Sequence, residues 1–281
     1  MNPVVIAAAQ LTSGIDPAAN LDQIAAAAAA ARSAGAAMLF LPEMALLLDR
    51  DRARSAAHIM READSPWPAQ LAAIAMANGL WLHAGSAPFL SDDGTRRVNR
   101  SLVFAPDGQL AARYDKIHMF DVDLPDGESW RESAAYAGGD RIALVDTPAG
   151  RLGLTICFDL RFPEQFAALA AAGASVIAVP AAFTVPTGAA HWHVLLRARA
   201  IETGCFIVAA AQGAAHADGR TTYGHSLIIN PWGEILAEGP GGDSSAVTPT
   251  LITAKIDPAA VARARGAIPL DRSRERRALK F

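Results

Sequence analysis

The stretch from Gly153 to Glu164 reads GLTICFDLRFPE and places a lone cysteine, Cys157, where an apolar strand gives way to a helix opened by Pro163. A cysteine at such an elbow exposes its sulfur at the rim of a sheet, where backbone N–H groups of the next turn are free to hold an oxyanion. Cysteine is also among the most frequently buried residue types, so this segment alone leaves nucleophile and space-filler both open. A thiol at its ordinary pKa of ~8.5 is only a few per cent thiolate at neutral pH, so a nucleophile here needs a base. The seven histidines, His58, His83, His118, His191, His193, His216 and His225, offer no papain-like arrangement from which to choose one. Two other segments do present charged groups. Leu39-Phe40-Leu41-Pro42-Glu43 is an apolar strand ending in a carboxylate, and Tyr114-Asp115-Lys116-Ile117-His118 ends a hairpin strand with a lysine. Singly, Glu43 and Lys116 read as rim charges. With Cys157 they make an acid, a cation and a thiol at the ends of separate strands, where side chains converge.

The elements that must position them alternate short β-rich runs with helical patterns. Strands are predicted at Val4–Gln10, Ala37–Pro42, Leu80–Ser86, Arg100–Ala105, Ile142–Thr147, Leu152–Cys157, Ser175–Pro180, Cys205–Gln212, Ser226–Asn230 and Thr250–Ile256. Helices are predicted at Asp16–Ser33, Trp67–Ala77, Pro163–Ala172, His191–Thr203 and near Pro258–Arg265, several opened by Pro or Asp and four closed by Gly. Pro106-Asp107-Gly108, Pro148-Ala149-Gly150 and Pro231-Trp232-Gly233 are tight-turn sequences that join antiparallel hairpins. Longer crossovers read as βαβ units, so the fold class is layered α/β with mixed sheets. Asp121–Asp140 is the longest stretch without an element, either a surface excursion or an active-site loop.

Composition narrows the class. The chain has 281 residues, 52% hydrophobic and 19% charged, enough for a large core. A net charge of −3 leaves no footprint for nucleic acid. Two cysteines, Cys157 and Cys205, are too few for a disulfide framework and fit a reducing, cytoplasmic setting. No apolar run has the length of a membrane span, and the first residues lack the pattern of a signal sequence. The alanine run Ala25–Ala31 reads as helix, since alanine is the strongest helix former.

The three charged segments together resemble the Glu-Lys-Cys triad of the nitrilase superfamily, the carbon–nitrogen hydrolases. Glu43 in LPEM matches its general base, Lys116 in YDKIHMFD its lysine, and Cys157 in GLTICFDLRFPE its nucleophile. The likeness runs from Ala8-Ala9-Gln10 to Gly224-His225-Ser226 and Asn230-Pro231-Trp232-Gly233. It implies a four-layer α-β-β-α sandwich and an amidase that needs no metal or organic cofactor. It also implies that Glu132, in Trp130-Arg131-Glu132-Ser133, is a second carboxylate that orients Lys116 or the substrate. Lys116 and the backbone N–H of Phe158 are expected to hold the oxyanion. A carboxyl at ~4.3 is about four units too acidic to take a thiol proton, a mismatch on the order of 5–6 kcal/mol. Burial of the acid, and a lysine cation that favours thiolate, are expected to close that gap. The stretch FTVPTGAAHWHVLLRARAIETGCFIVAAAQ resembles the omega-amidase and deaminated glutathione amidase branch, which implies a small ω-amide carrying a carboxylate. Alternatives are an N-carbamoyl amidase or nitrilase of the same superfamily, and a non-catalytic binding protein on the same fold.

Several further residues have a reading. Arg161, four residues past Cys157, either accepts a substrate carboxylate or pairs with Asp159 or Glu164. Phe183 and Thr184 follow a strand to the same rim and are expected to line the pocket. Cys205, inside a strand, reads as a buried filler. His191-Trp192-His193 spaces two histidines i, i+2, but on a helix these lie about 200° apart, which argues against a shared metal. His193 stands where many members of that superfamily have glutamate, and is read as structural or interfacial. The helix His191–Thr203 carries apolar residues on more than one side, and the arginine-rich tail from Val261 has few evident local partners. Both suit a homodimer in which helices pack on their copies and the tail, in a partition of 1–257 and 258–281, crosses to the partner.

Overall fold

The computed structural model describes residues 2–123, 127, 129–242 and 249–270. In its first half, β1 (Val4–Gln10), α1 (Pro17–Ser33), β2 (Met38–Phe40), α2 (Arg52–Ala56), α3 (Trp67–Asn78), β3 (Trp81–His83), β4 (Ala87–Leu90), β5 (Arg97–Phe104) and β6 (Leu110–Asp115) follow in order. A small hairpin, β7 (Asp121–Asp123) and β8 (Ser129–Arg131), leads to a 3-10 turn at Glu132–Ala134. Then come β9 (Leu144–Thr147), β10 (Gly150–Leu154), a 3-10 turn at Cys157–Arg161, α4 (Pro163–Ala171), β11 (Val176–Ala178), α5 (Val185–Thr203) and β12 (Phe206–Ala209). The chain continues through β13 (Gly213–Ala215), β14 (Thr221–Tyr223), β15 (Leu227–Ile229), β16 (Ile235–Glu238), β17 (Thr250–Ile256) and α6 (Ala259–Ala267).

Two mixed sheets form the centre. One runs β17-β1-β2-β3-β5-β4 with β6 also on β5, and the other runs β16-β15-β12-β11-β10-β9. Strand alternation sorts side chains into layers. Ile6, Ala8, Met38 and Phe40 face the second sheet, meeting Leu152, Leu154, Val176 and Ala178 in one core. Ala7, Ala9, Leu39 and Leu41 face the other way, against Ile24 and Ala28 of α1 and Leu71 and Ala75 of α3. Phe166 and Leu169 of α4 and Trp192 and Leu196 of α5 cover the second sheet. The result is α-β-β-α, as expected. Among the described residues no helix is long and apolar enough to cross a membrane.

The differences from the sequence reading have local causes. Helix α5 begins at Val185, six residues before the predicted His191. Pro186 sits in its first turn, where a missing N–H costs nothing. Gly188 is required there, because a Cβ at that position would stand 2.2 Å from the Tyr223 ring. Regular strand β10 ends at Leu154, three residues short of Cys157, yet the Thr155 and Cys157 N–H groups still donate to Ala178 O and Pro180 O and the backbone stays extended through Ile156, so the elbow itself falls at Cys157. The stretch Asp121–Asp140 is not structureless: it carries β7, β8 and the Glu132 turn. The first part of the tail does find local partners. Val261 is buried in the main core, and Arg265 donates to the carbonyls of Thr203 (3.0 Å) and Ala174 (2.8 Å). Residues 271–281 of that tail lie outside the described residues.

Candidate active site

The two sheets offer their rims to one cleft. Glu43 follows β2, Lys116 follows β6, Cys157 follows β10 and Phe183 and Thr184 follow β11. All five line a cavity of about 730 Å³, together with Glu132, Phe158 and Arg161. None of the seven histidines lines it. Every residue singled out as a site residue from the sequence therefore reaches the same cleft.

Cys157 holds a φ of 50°, a left-handed conformation that a side chain with a Cβ rarely takes. Such strain costs on the order of 1–3 kcal/mol and persists only where the surroundings over-determine it. Here they do. The Cys157 N–H donates to Pro180 O at 2.9 Å, and the Ile156 N–H donates to Asp159 Oδ2 at 2.8 Å. Fully buried Asp159 also accepts from the Tyr114 hydroxyl (2.6 Å) and the His118 N–H (3.0 Å), and His118 Nδ1 lies 2.8 Å from its Oδ1. Tyr114 and His118 flank Lys116 by two residues on either side, so one carboxylate ties the cysteine elbow to the lysine segment. Neither Asp159 nor Tyr114 was singled out from sequence as part of the site. Their contacts span 45 residues, and no local pattern announces them.

Glu43 is buried and fully engaged. Its Oε1 accepts from Lys116 Nζ (3.2 Å) and Asn99 Nδ2 (2.9 Å), and its Oε2 accepts from the Ala182 N–H (3.0 Å). Beneath it, Gly85 has no alternative: a Cβ there would lie 1.8 Å from the Pro42 carbonyl oxygen. Lys116 Nζ also donates to both oxygens of Glu132, at 3.0 and 2.8 Å. Glu132 is fixed in turn by the Phe120 N–H at 2.7 Å. Burial works against the Lys116 ammonium, but Glu132, Glu43 and Cys157 outweigh it and hold its pKa well above the ordinary lysine range.

Lys116 favours the thiolate, as expected, but it is outweighed. Burial foremost, then the Glu43 charge, pushes the Cys157 pKa well above its ordinary value, and the opposing pull of Lys116 does not compensate. The charges explain this. One cation already serves two carboxylates, so a thiolate would bring a third negative charge to the same buried cation. Lys116 is therefore placed to receive a different negative charge at the cleft.

Arg161 forms no ion pair with Asp159 or Glu164. Among the described residues its polar neighbour is His191 Nδ1, at 3.3 Å from Nη1. Its guanidinium lies over the rings of Phe158 (5.7 Å) and Phe183 (5.5 Å), and burial lowers its pKa. His191 and His193 do not converge: His191 meets Arg161, whereas His193 meets Glu238. Cys205 is fully buried against Ala174 O (3.2 Å) and Arg265 Nη2 (3.1 Å) and does not line the cleft that holds Cys157.

Against known proteins, the family description "Carbon-nitrogen hydrolase" matches residues 5–266. The chain is 44% identical over 242 residues to a deaminated glutathione amidase from Yersinia enterocolitica, covering 85% of this chain and 84% of that one. It is 38% identical over 273 residues to a deaminated glutathione amidase from Synechocystis, covering 96% and 97%. Among solved structures, the C. elegans NitFhit protein superposes with a TM-score of 0.85 at 33% identity, covering 97% of this chain and 65% of that chain.

Proposed function

The chain belongs to the carbon–nitrogen hydrolase family, and from that premise we propose that Cys157, Glu43 and Lys116 hydrolyse the C–N bond of a small ω-amide carrying a carboxylate, of the deaminated glutathione or α-ketoglutaramate type. The family makes it a hydrolase of non-peptide C–N bonds. The observation that carries the reading is the buried Lys116 ammonium, pinned between Glu43 and Glu132 at the cleft into which Cys157 opens.

The steps follow from the charges. Cys157 Sγ attacks the amide carbonyl carbon while its proton passes to Glu43, so no free thiolate accumulates. The carbonyl oxygen becomes an oxyanion that Lys116 Nζ and the Phe158 backbone N–H hold. Glu43 returns the proton to the departing nitrogen, and ammonia or an amine leaves a thioester on Cys157. Glu43 then takes a proton from water, the hydroxide adds to the thioester carbonyl, and collapse regenerates the thiol and releases a carboxylic acid. Glu132 keeps Lys116 aimed throughout. Because the lysine is already held by two carboxylates, it needs little reorganisation when charge develops.

Arg161 is the anchor for the substrate carboxylate. It is a half-buried guanidinium on the cleft wall with two aromatic faces and, among the described residues, no carboxylate of its own. The test is ammonia or amine release from α-ketoglutaramate, succinamate, deaminated glutathione, N-carbamoyl amino acids and simple nitriles. Carboxylate-bearing ω-amides are expected to turn over best. Arg161→Met is expected to raise KM for these by more than for uncharged amides. Equal effects would make Arg161 structural, and turnover confined to carbamoyl compounds or nitriles would replace the substrate class.

For assembly, the reading is a homodimer. Val194 (69% exposed) and Ile201 (49%) lie seven residues apart on one face of α5. Ile201, Trp232, Ile268 and Leu270 line a second cavity of about 510 Å³. Apolar surface of this kind suits a two-fold contact. Light scattering at micromolar concentration is expected to give twice the chain mass. An active species of single-chain mass would remove the dimer, and a dimer surviving deletion from Pro269 onward would remove the tail from its interface. Two cysteines without a disulfide suit a reducing cytoplasmic setting, and a net charge of −3 suits a small-molecule partner rather than nucleic acid.

A further inference from the structure

His193 does not pair with His191, but it meets two residues from the strand layer. Its Nε2 lies 3.0 Å from Glu238 Oε1, and His225 Nδ1 lies 2.7 Å from the same oxygen. The three ligating atoms all fall within 4.8 Å of one another. They come from three elements distant in sequence: α5, the turn before β15, and the end of β16.

Other contacts set this cluster in place. His225 holds a φ of 54°. Its N–H donates to Pro240 O at 2.9 Å, and its carbonyl accepts from Trp192 Nε1 at 2.8 Å. The Tyr223 ring lies against the His225 ring, with centroids 4.4 Å apart, and the two imidazoles are 5.2 Å apart, tilted edge to face. Side-chain exposures of 29% (His193), 26% (His225) and 39% (Glu238) leave a path for an ion from solvent and room for retained water. None of the three lines the catalytic cleft.

Two imidazole nitrogens and one carboxylate oxygen are the donors of zinc-like ions. Magnesium and calcium want oxygen alone. Metal–ligand bonds of 2.0–2.2 Å in a tetrahedron put ligand atoms ~3.3 Å apart, so the two contacts of 2.7 and 3.0 Å need only open slightly. We propose that His193, His225 and Glu238 form a binding site for a Zn²⁺-class transition-metal ion that ties α5 to β16. His193 binds through Nε2 and His225 through Nδ1, so each ring keeps its proton on the other nitrogen. One or more coordination positions face solvent. The site is structural: it anchors the helix whose first turn, at Val185 to Thr187, forms part of the cleft wall.

The test uses untagged protein stripped with chelator and titrated with Co²⁺, whose visible spectrum separates nitrogen and oxygen ligands from thiolate. Cys157 is the competing ligand, so the Cys157→Ala variant is titrated in parallel. The expected result is one equivalent bound, with no sulfur charge-transfer band, in both proteins. Zn²⁺ should displace it. His193→Ala and the isosteric Glu238→Gln should each weaken binding by at least ~100-fold, the upper end of what loss of an outer-shell partner costs. Zn²⁺ should raise the unfolding temperature of the native chain and of Cys157→Ala, but not of His193→Ala. Hydrolase activity of Glu238→Gln in chelator should match the native chain. No uptake, unchanged uptake in both variants, or uptake lost with Cys157 would each overturn the site. If His193→Ala fails to fold, Glu238→Gln with native circular dichroism decides alone.

Discussion

Replacing Cys157 with alanine is expected to remove turnover, with a loss on the order of 10⁶-fold, the scale met when a nucleophile is taken from a catalytic triad. The fold should persist. Alanine shares the Cβ that already tolerates the φ of 50°, and the elbow is held by backbone and by Asp159, not by sulfur. Cys205→Ala should leave activity nearly unchanged and cost stability only. That thiol is fully buried and packs on the Ala174 carbonyl and Arg265. Iodoacetamide should label Cys157, with activity lost in step. Because burial and Glu43 keep that thiol protonated, labelling should be slow at neutral pH and accelerate as pH rises. A label found mainly on Cys205, with activity lost in step, would overturn the nucleophile.

Glu43→Gln and Lys116→Ala should each cost at least ~100-fold in kcat/KM, the range for general bases and oxyanion donors. The glutamine cannot take a proton, and it also fits badly. Oε1 accepts from Lys116 and Asn99 and Oε2 from the Ala182 N–H, so either amide orientation sets its NH₂ against a donor. Lys116→Ala leaves buried Glu43 and partly buried Glu132 without their shared cation, and breaking a buried pair this way costs on the order of 3–5 kcal/mol. Thermal unfolding of that variant must therefore be read beside its rate. Glu132→Gln removes charge from the lysine but keeps its size, and should hurt less uniformly across substrates. Native rates across pH in Glu43→Gln would force a return to a histidine base, although none lines the cleft.

What the sequence determined by itself was local. Short β-rich runs located the strands Val4–Gln10 and Thr250–Ile256 to the residue, because residue types that suit a pleated, half-buried surface sit together in the chain. The strand-to-helix elbow exposed Cys157, and charges at the ends of apolar runs brought Glu43 and Lys116 forward. Their resemblance to a known triad supplied the order of layers and the role of Glu132. The tertiary structure alone decided how these groups act on one another. Asn99 reaches Glu43 across 56 residues, and Asp159 joins the elbow to Tyr114 across 45, contacts that closure of the sheets creates and no spacing encodes. It left Arg161 without the internal carboxylate that sequence neighbours offered, since Asp159 was already spent on Tyr114, His118 and Ile156. It moved His193 from a doubtful pair with His191 to a meeting with His225 and Glu238. It also set burial and the Glu43 charge against the pull of Lys116 on the Cys157 thiol, so that its pKa rises on balance. A pKa depends on all charges within a few ångströms and on exclusion from water, and both follow from packing that brings distant segments together.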